Sequence, residues 1–441
     1  MSGFILKNGI IVSANIKPHA GDIGVSGEKI TAPNVSGNIP VLDLKEKSYV
    51  YPALINTHDH LQGNYRPAVG PPEGTFYLTW QPWDNDLKAS ATFTERSNMC
   101  REELYTLSSY KCIFSGVTTV NDHFPHALNH NILPNLPIRA IQEYGIAHEC
   151  TSYDLKWGTG VIEEHEKAVK NKWPFITHLS EGFDAEAMHT TEALEKLGIL
   201  DNHCLFIHCV ALSDEDIKKI GRAGASISLC SSSNMLMFNT TAKIRKMIKA
   251  GLNLTIGTDS SASGPANLLE EIHNLRKLYQ KMYGEDLCPK KIFEMVTINA
   301  ANAFWMQDRL GSLDEGKLGD ILVLKAQKND PYENLATASM KDIELLTLAG
   351  KPIYGELRFF DILADAEKKC KLSEEYTEIV VGTRPMFVIG DPAALYREIR
   401  ARVGFKKVLD FLPFEPDDSA PRQFESGRGK AAGTKLKKDF A

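Results

Sequence analysis

Short apolar runs alternate with amphipathic, helix-periodic segments through the middle of this sequence. From Tyr51 onward, buried strands are predicted at ALINTH, GVTTVND, IAHECTSY, PFITHLSE, CLFIHC, ASISLC and NLTIGTD. The intervening SDEDIKKIGRAG and NLLEEIHNLRKLYQKM have the 3.6-residue periodicity of helices with one apolar face. Repeated strand-then-helix units predict an α/β fold with a parallel sheet, which we expect to close into a TIM-like (β/α) barrel.

The two ends of the chain have a different pattern. Short β-type runs separated by Gly, Asn and Pro occupy residues 1–50, and similar runs return in residues 312–365. We expect these two regions to form a small β-sandwich domain together, flanking a hydrolase barrel at residues 51–311. Residues 366–415 have a mixed helix and strand pattern whose role the sequence does not indicate. Residues 416–441 are rich in Gly and Lys and are predicted to be a disordered tail.

Composition and charge exclude several classes of function. The chain has 441 residues, of which 43% are apolar, and a net charge of -6 with both signs mixed along the sequence. Such a balance argues against binding to nucleic acid or to a membrane surface. The N-terminus lacks a signal-peptide pattern and no window has the roughly 18 apolar residues of a membrane span, so we expect a cytoplasmic protein. The eight cysteines form no C-x-x-C pair and are interpreted as buried thiols.

Potential metal ligands follow several of the predicted strands. In LINTHDHLQGNY, His58 and His60 are two residues apart and therefore point to the same face of a strand. His178, His208 and Asp259 stand at the ends of three later strands. Each of them alone could be a capped strand end or a hydrogen-bonded polar group, and the histidine pair could lie on the surface. Because the carboxyl ends of parallel strands meet on one face of a barrel, we expect all of them to form one site.

Glu181 follows His178 by three residues, in THLSEG. In a loop beyond the strand it would lie close enough to touch a metal-bound water without ligating the ion. A divalent metal lowers the pKa of its water towards about 7, and a nearby carboxylate can take up and deliver the proton. The alternative is an ordinary solvated loop glutamate. His123 and His126, after the second strand, are interpreted as hydrogen-bonded loop histidines rather than ligands of a second metal.

The motifs NTHDH, GVTTV, THLSEG, IHCVAL, SSSNM, IGTDSSASG, TINAANAF and GSLDEGKLGDILVL resemble those of the amidohydrolase superfamily over residues 1 to 358. The H-x-x-E form resembles its mononuclear aminohydrolase branch, which includes guanine, cytosine and S-adenosylhomocysteine deaminases and chlorotriazine hydrolases. The resemblance implies one divalent ion per chain, which is zinc or else iron. By resemblance alone, the chain is also expected to form a homo-oligomer, in particular a dimer. The resemblance also implies a ligand set of His58, His60, His178 and Asp259, with Asp259 also catalytic, Glu181 as proton shuttle, and His208 orienting the water and substrate.

Two features depart from that family. Between IAHECTSY and the His178 strand there is one helix-like stretch, where the family has a helix, a strand and another helix, so one βα unit of the barrel is expected to be missing. The second departure is CSSSN, where relatives carry Cys-Pro before the Ser-Asn pair. The long insertion at residues 61–90 could fold over the barrel mouth and pack rings against a planar substrate. Alternatively, Trp80 and Trp83 only anchor this loop to the rim.

The predicted activity is hydrolytic deamination of a small nitrogen heterocycle such as a nucleobase, pterin or triazine. An alternative keeps the same site but hydrolyses a cyclic amide or displaces another leaving group. A more remote alternative is a catalytically inactive scaffold, which has no reason to retain all six site residues. The H-x-E and P-C-x-x-C pattern of base-flipping cytidine deaminases is absent from the sequence. A small-molecule substrate is therefore expected.

Overall fold

The structure is a computed structural model that describes residues 3–33, 39–366 and 375–416. The predicted disordered tail lies outside the described residues except for residue 416. The strands of the described N-terminal region, β1 to β5, cover Gly3–Ser13, Ile16–Ser26, Lys29–Thr31, Val41–Asp43 and Ser48–Pro52. Strands β6 to β13 cover Leu54–Asp59, Val117–Asp122, Arg139–Ala140, Gly145–Ile146, Phe175–Leu179, Cys204–His208, Ser226–Leu229 and Asn253–Ile256. Strands β14 to β18 cover Ile321–Lys325, Ile343–Leu348, Lys351–Glu356, Tyr376–Val381 and Arg384–Ile389.

Helices connect the central strands and continue beyond them. Helices α1 to α8 cover Trp80–Ala89, Ala91–Arg96, Arg101–Ile113, His126–Asn129, Val161–Asn171, Ala185–Met188, Thr190–Lys196 and Asp214–Ala223. Helices α9 to α16 cover Ser231–Phe238, Ile244–Lys249, Leu268–Tyr283, Pro289–Met295, Ile298–Ala303, Pro331–Ala336, Leu357–Ala366 and Pro392–Val403. Among the described residues, no helix is both long and apolar enough to cross a membrane.

The central strands form two parallel sheets, in the orders β6-β7-β8 and β9-β10-β11-β12-β13. Strands β10, β11 and β12 are buried at every position, as expected for parallel strands that are covered on both faces. At the junction of β6 and β13 the backbone N–H of Asp259 donates to the carbonyl of His58 over 3.0 Å. The Thr57 hydroxyl in β6 also lies 2.8 Å from the hydroxyl of Thr255 in β13. The two sheets are therefore in contact at this edge.

At the other edge, residues 139–148 run between β7 and β10 as one bent passage. Its first part bonds to β7, where the N–H of Ile141 donates to the carbonyl of Val120 over 2.9 Å. Its second part bonds to β10, where the N–H of Ala147 donates to the carbonyl of Ile176 over 3.2 Å. Only four residues separate β8 from β9, too few for the crossover of a dozen or more residues that joins parallel neighbours. One passage thus supplies a short strand to each of the two sheets. Between β9 and the His178 strand β10, where one βα unit is expected to be missing, the described chain forms the single helix α5.

Strands from both chain ends pair in a separate sheet with the order β17-β18-β16-β15-β14-β5-β1-β2-β3, and β4 also pairs with β1. The junction is the antiparallel pair of β5 and β14, whose register runs from Pro52 opposite Ile321 to Ser48 opposite Lys325. Strands β17 and β18, from the segment of unassigned role, extend the same sheet beyond β16. The division into a sandwich and a barrel at the predicted boundaries stays a prediction.

Candidate active site

The strand ends that carry the predicted metal ligands meet at one point. The ring centroid of His58 lies 4.7 Å from that of His60, 5.2 Å from that of His178 and 5.6 Å from that of His208. His60 Nε2 is 3.9 Å from an Asp259 carboxylate oxygen. Donor atoms of His58, His60 and His178 lie within 4.8 Å of one another, as do those of His58, His208 and Asp259. The topology therefore brings together all five residues that sequence positions place at strand ends.

His58 has unsatisfied hydrogen-bonding groups at the centre of this cluster. Both of its ring nitrogens are buried and have no hydrogen-bond partner among the described residues. Burial and the neighbouring histidines hold the pKa of His58 well below its usual range, so the imidazole stays neutral with a free lone pair. A buried polar atom without a partner costs free energy, and neutral imidazole is the commonest metal ligand. The donor set therefore fits a divalent cation.

Neighbouring groups fix the orientation of the other donors. His178 Nδ1 lies 2.9 Å from the carbonyl of His148, and His208 Nδ1 lies 2.9 Å from Asn234 Oδ1. Hydroxyl groups of Ser233 and Ser263 each donate to the same Asp259 carboxylate oxygen over 2.8 Å. Burial alone raises the pKa of Asp259, but the charges of His60 and His208, the backbone N–H of Ser260 and the Ser233 hydroxyl together lower it. Partners of this kind hold ligating side chains in one orientation.

His208 and Asp259 both have left-handed backbone conformations, with φ of 68° and 57°. For residues other than glycine this conformation costs on the order of 1–3 kcal/mol, and it persists only where the surroundings hold it in place. The backbone beneath the cluster also approaches closely. A Cβ at Gly257 would lie 2.7 Å from the Cβ of His58, so glycine is required there.

Glu181 lies inside the site rather than in solvent. Its carboxylate is 3.3 Å from His208 Nε2, and the two side chains are only 6% and 1% exposed. Burial, together with the nearby carboxylates of Asp259 and Glu149, raises the pKa of Glu181 well above its usual range. Burial also lowers the pKa of His208. Burial therefore favours the protonated form of the Glu181 carboxyl group and the neutral form of the His208 imidazole.

Beneath the site, Lys111 on α3 forms a buried ion pair with Asp59, the residue between the two histidines of β6. The Lys111 Nζ lies 3.0 Å from an Asp59 oxygen, and the side chains are 1% and 0% exposed. The same ammonium donates to Asn64 Oδ1 over 2.7 Å and to the carbonyl of Asp259 over 3.1 Å. Lys111 thus ties the His58 strand to the segment that carries Asp259.

A cavity of about 380 Å³ opens onto the cluster. His60, His178, Glu181, His208 and Asp259 line it together with aromatic rings of Phe124, Trp80, Trp83 and Trp157. The insertion after β6 forms much of this wall and is helical from Trp80 onward. Trp80 Nε1 donates to Glu149 over 3.0 Å and Trp83 Nε1 donates to the carbonyl of Val69 over 2.9 Å. The two tryptophans therefore anchor the insertion and also face the cavity.

Two histidines near the cluster were given no role in the site by sequence analysis. His148 follows the apolar GIA as His178 follows FIT, and this shared strand-end position is the signal that could have identified it. Its ring centroid lies 5.0 Å from that of His178, and burial lowers its pKa to about 3. His123 lies 4.7 Å from His178 by ring centroids. As predicted for a hydrogen-bonded histidine, its Nε2 contacts the carbonyls of Ala147 and Ile176 at 3.1 and 3.3 Å.

The chain is similar to known proteins in both sequence and fold. Residues 166–353 match the amidohydrolase family. A 5-methylthioadenosine/S-adenosylhomocysteine deaminase of Clostridium tetani is 31% identical over 41% of this chain, and that match spans 46% of the relative. The enzyme with the same name from Pyrococcus abyssi is 26% identical over 79% of this chain and 92% of its own length. A zinc-bound adenosine deaminase from Xanthomonas campestris has a similar fold, with a TM-score of 0.65 at 16% identity, covering 83% of this chain and 97% of the other.

The predicted resemblance to the amidohydrolase superfamily is confirmed by these comparisons, as is the prediction of an enzyme. The match to the Clostridium tetani relative spans about half of that protein's length. The individual roles assigned to Glu181, His208 and the ligand set stay predictions.

Proposed function

We propose that this amidohydrolase removes an amino group, as ammonia, from a small nitrogen heterocycle, using one zinc ion held by His58, His60, His178 and Asp259. The observation that carries the proposal is the convergence of these donors, with both buried nitrogens of His58 unpartnered, beside the Glu181–His208 pair. The ion, when bound, would supply an activated water. The two parallel sheets would then form one distorted barrel with this site at the carboxyl ends of its strands.

Glu181 is positioned to move the proton that deamination requires. Attack on a ring carbon bearing an amine is assisted when the adjacent ring nitrogen is protonated, and ammonia leaves only after the amine gains a proton. The raised pKa of Glu181 supplies a carboxylic acid for the first transfer. After that transfer the carboxylate can take a proton from the attacking water and deliver it to the amine. As ammonia leaves with the electrons of the C–N bond, the carbonyl forms and the remaining hydroxyl proton returns to Glu181.

His208 lies beside Glu181 and supports this proton transfer. Since its Nδ1 lies 2.9 Å from the Asn234 carbonyl oxygen, Nδ1 carries the hydrogen and Nε2 presents a lone pair towards Glu181. Asn234 is itself oriented because its amide nitrogen donates to Thr241 over 3.1 Å. The imidazole can therefore orient the water and accept charge without holding the ion. Asn234 fixes the tautomer on which this role depends.

The aromatic lining of the cavity supports a planar substrate. Trp80 contacts His148 with ring centroids 4.5 Å apart, and Trp157 contacts the same histidine at 4.7 Å. Flat aromatic walls with a few polar groups at one end are typical of sites for heterocyclic ligands. The deaminase names of the relatives from Clostridium tetani and Pyrococcus abyssi favour an amino group as the leaving group over a cyclic amide.

The test is ammonia release by zinc-loaded protein from adenosine, 5-methylthioadenosine, S-adenosylhomocysteine and guanine. Glu181→Gln should abolish most of the release while the zinc content, measured by elemental analysis, stays near that of the wild type. Glu166, an exposed glutamate on α5, provides the matched control Glu166→Gln. Opening of cyclic amides without ammonia release from any amine substrate would overturn the proposal.

A further inference from the structure

Basic side chains line the same cavity as the candidate metal ligands. Arg66, Lys88, Arg96 and Arg101 all contribute to its wall, although the chain as a whole has a net charge of -6. Apart from Glu181 and Asp259 at the metal cluster, Asp84 is the acidic side chain among the lining residues. The wall away from the cluster therefore carries an excess of positive charge.

Within the part of the chain that the structure describes, Arg66, Arg96 and Arg101 lie close to one another and pair with no carboxylate. The guanidinium carbons of Arg66 and Arg96 each lie 4.9 Å from the ring centroid of Phe93. Burial and the charge of Arg96 lower the pKa of Arg66 to about 10, and burial and the charge of Arg101 lower that of Arg96. Grouping like charges in a partly buried wall is unfavourable unless a negative group joins them.

Among the described residues, no carboxylate forms an ion pair with these three arginines, although the charge of Asp84 acts on Arg66. Arg66 is 6% exposed, and its Nε has no hydrogen-bond partner among the described residues. Asp84 is paired with Lys88. Glu95, which precedes Arg96 in the chain, accepts from Lys407 over 2.9 Å and from the Tyr65 hydroxyl. An arginine cluster with a purely structural role would be expected to take up these carboxylates, which are instead engaged elsewhere.

We infer that the substrate carries an anionic group, a phosphate or a carboxylate, away from its reacting ring, and that Arg66, Arg96 and Arg101 bind this group. The inference rests on the proposed function, because it assigns the substrate class of the same cavity. A guanidinium is a planar fork of N–H donors that matches the oxygens of either anion and remains charged at neutral pH. The aromatic part of the cavity would hold the heterocycle while the arginines fix its distal end.

The test compares substrates that differ in the anionic group. AMP is compared with adenosine for phosphate, and S-adenosylhomocysteine, which carries a carboxylate beside an ammonium, is compared with 5-methylthioadenosine. Binding calorimetry on Glu181→Gln protein gives Kd without turnover, and ammonia release by the wild type gives kcat/KM. Hydrogen bonds to charged groups contribute about 10- to 100-fold in affinity, so we expect the anionic member of at least one pair to bind more tightly by that factor. The pair that shows the preference identifies the anion.

Arginine variants establish which residues produce the preference. Arg96→Gln and Arg101→Gln, at partly exposed positions that tolerate substitution, should each reduce the ratio of anionic to neutral affinity about tenfold or more. Arg66→Gln should do the same if its zinc content and melting temperature are retained. The control is Arg222→Gln, on the exposed surface of α8 beside Glu215, which should leave the ratio unchanged.

The two proposals fail in different ways. Equal affinity for both members of both pairs, or a preference that survives all three arginine variants, would overturn the anion inference even if ammonia is released. A preference that the arginine variants remove, without ammonia release from any substrate, would keep the anion inference and overturn the deaminase proposal.

Discussion

Replacing Lys111 by Met should destabilise the protein more than any surface substitution, because it leaves the Asp59 carboxylate buried without its counter-charge. Three neutral donors would remain near Asp59: the amides of Asn56 and Asn64 at 3.3 and 2.9 Å, and the Thr258 hydroxyl at 2.9 Å. Removing one member of a buried ion pair typically costs about 3–5 kcal/mol. With an unfolding entropy of about 2.1 cal/mol/K per residue over 441 residues, this corresponds to a fall in Tm of about 3–5 °C.

Thermal melting of the metal-free protein isolates this effect from any change in metal binding. Lys281→Met, at an exposed position on α11, is the control and should change stability by less than about 0.5 kcal/mol. Asp59→Asn combined with Lys111→Met should cost less than the sum of the two single changes, since the second change removes the group that the first left unpaired. A fall in Tm below 1 °C for Lys111→Met, or strict additivity in the double variant, would refute the reasoning.

The remaining predictions concern the cluster and a buried carboxyl group. Glu181→Gln should lower kcat by roughly two to four orders of magnitude with zinc retained, since a proton shuttle contributes about that factor; loss of zinc would identify Glu181 as a ligand. His58→Ala should remove both zinc and activity, and elemental analysis of the wild type should give one ion per chain rather than two. His208→Asn should reduce the rate and keep the ion; an empty site would require a different ligand set. Burial raises the pKa of Glu271 from 4.5 to about 8, so the free energy of unfolding of the wild type should fall as pH rises between these values. Relative to the wild type, Glu271→Gln should therefore gain on the order of 4 kcal/mol in free energy of unfolding between pH 5 and pH 8.5. Denaturant midpoints at the two pH values measure this gain, and a constant difference between the two proteins would show that Glu271 is ionised in the fold.

Much of the cluster is predictable from sequence because each donor follows an apolar run. A run of four to six buried residues fixes a strand, and the strand fixes where the next polar residue emerges. His58, His178 and His208 all satisfy this rule, and parallel topology then brings them together although 150 residues separate the first from the last. The hydrogen bonds of Asn234 and Ser233 could not be predicted, since they depend on how α9 packs against the ends of these strands.

The helical structure of the insertion at residues 61–90 could not be predicted, for a different physical reason. Pro82 and the polar stretch after it suggest a loop, yet α1 begins at Trp80 and places the proline in its first turn, where no backbone N–H is needed. Trp80 and Leu87, two turns apart, form its buried face. Arg66 in the loop after β6, Arg96 on α2 and Arg101 on α3 come together only in the tertiary structure, and their spacing in the sequence carries no periodic signal.

The bent passage at residues 139–148 should open locally more readily than the strands on either side of it. Its two halves are bonded to different strands, and its middle, where Gln142 and Glu143 are exposed, contributes no backbone donor to either sheet among the described hydrogen bonds. Amide protons at these two positions should exchange with deuterium quickly, while those of Ile141 and Ala147 remain protected. Because the second half continues into His148, transient fraying that starts in the middle would reach the histidine beside Trp80 and Trp157 before it disturbed His58 on the opposite strand.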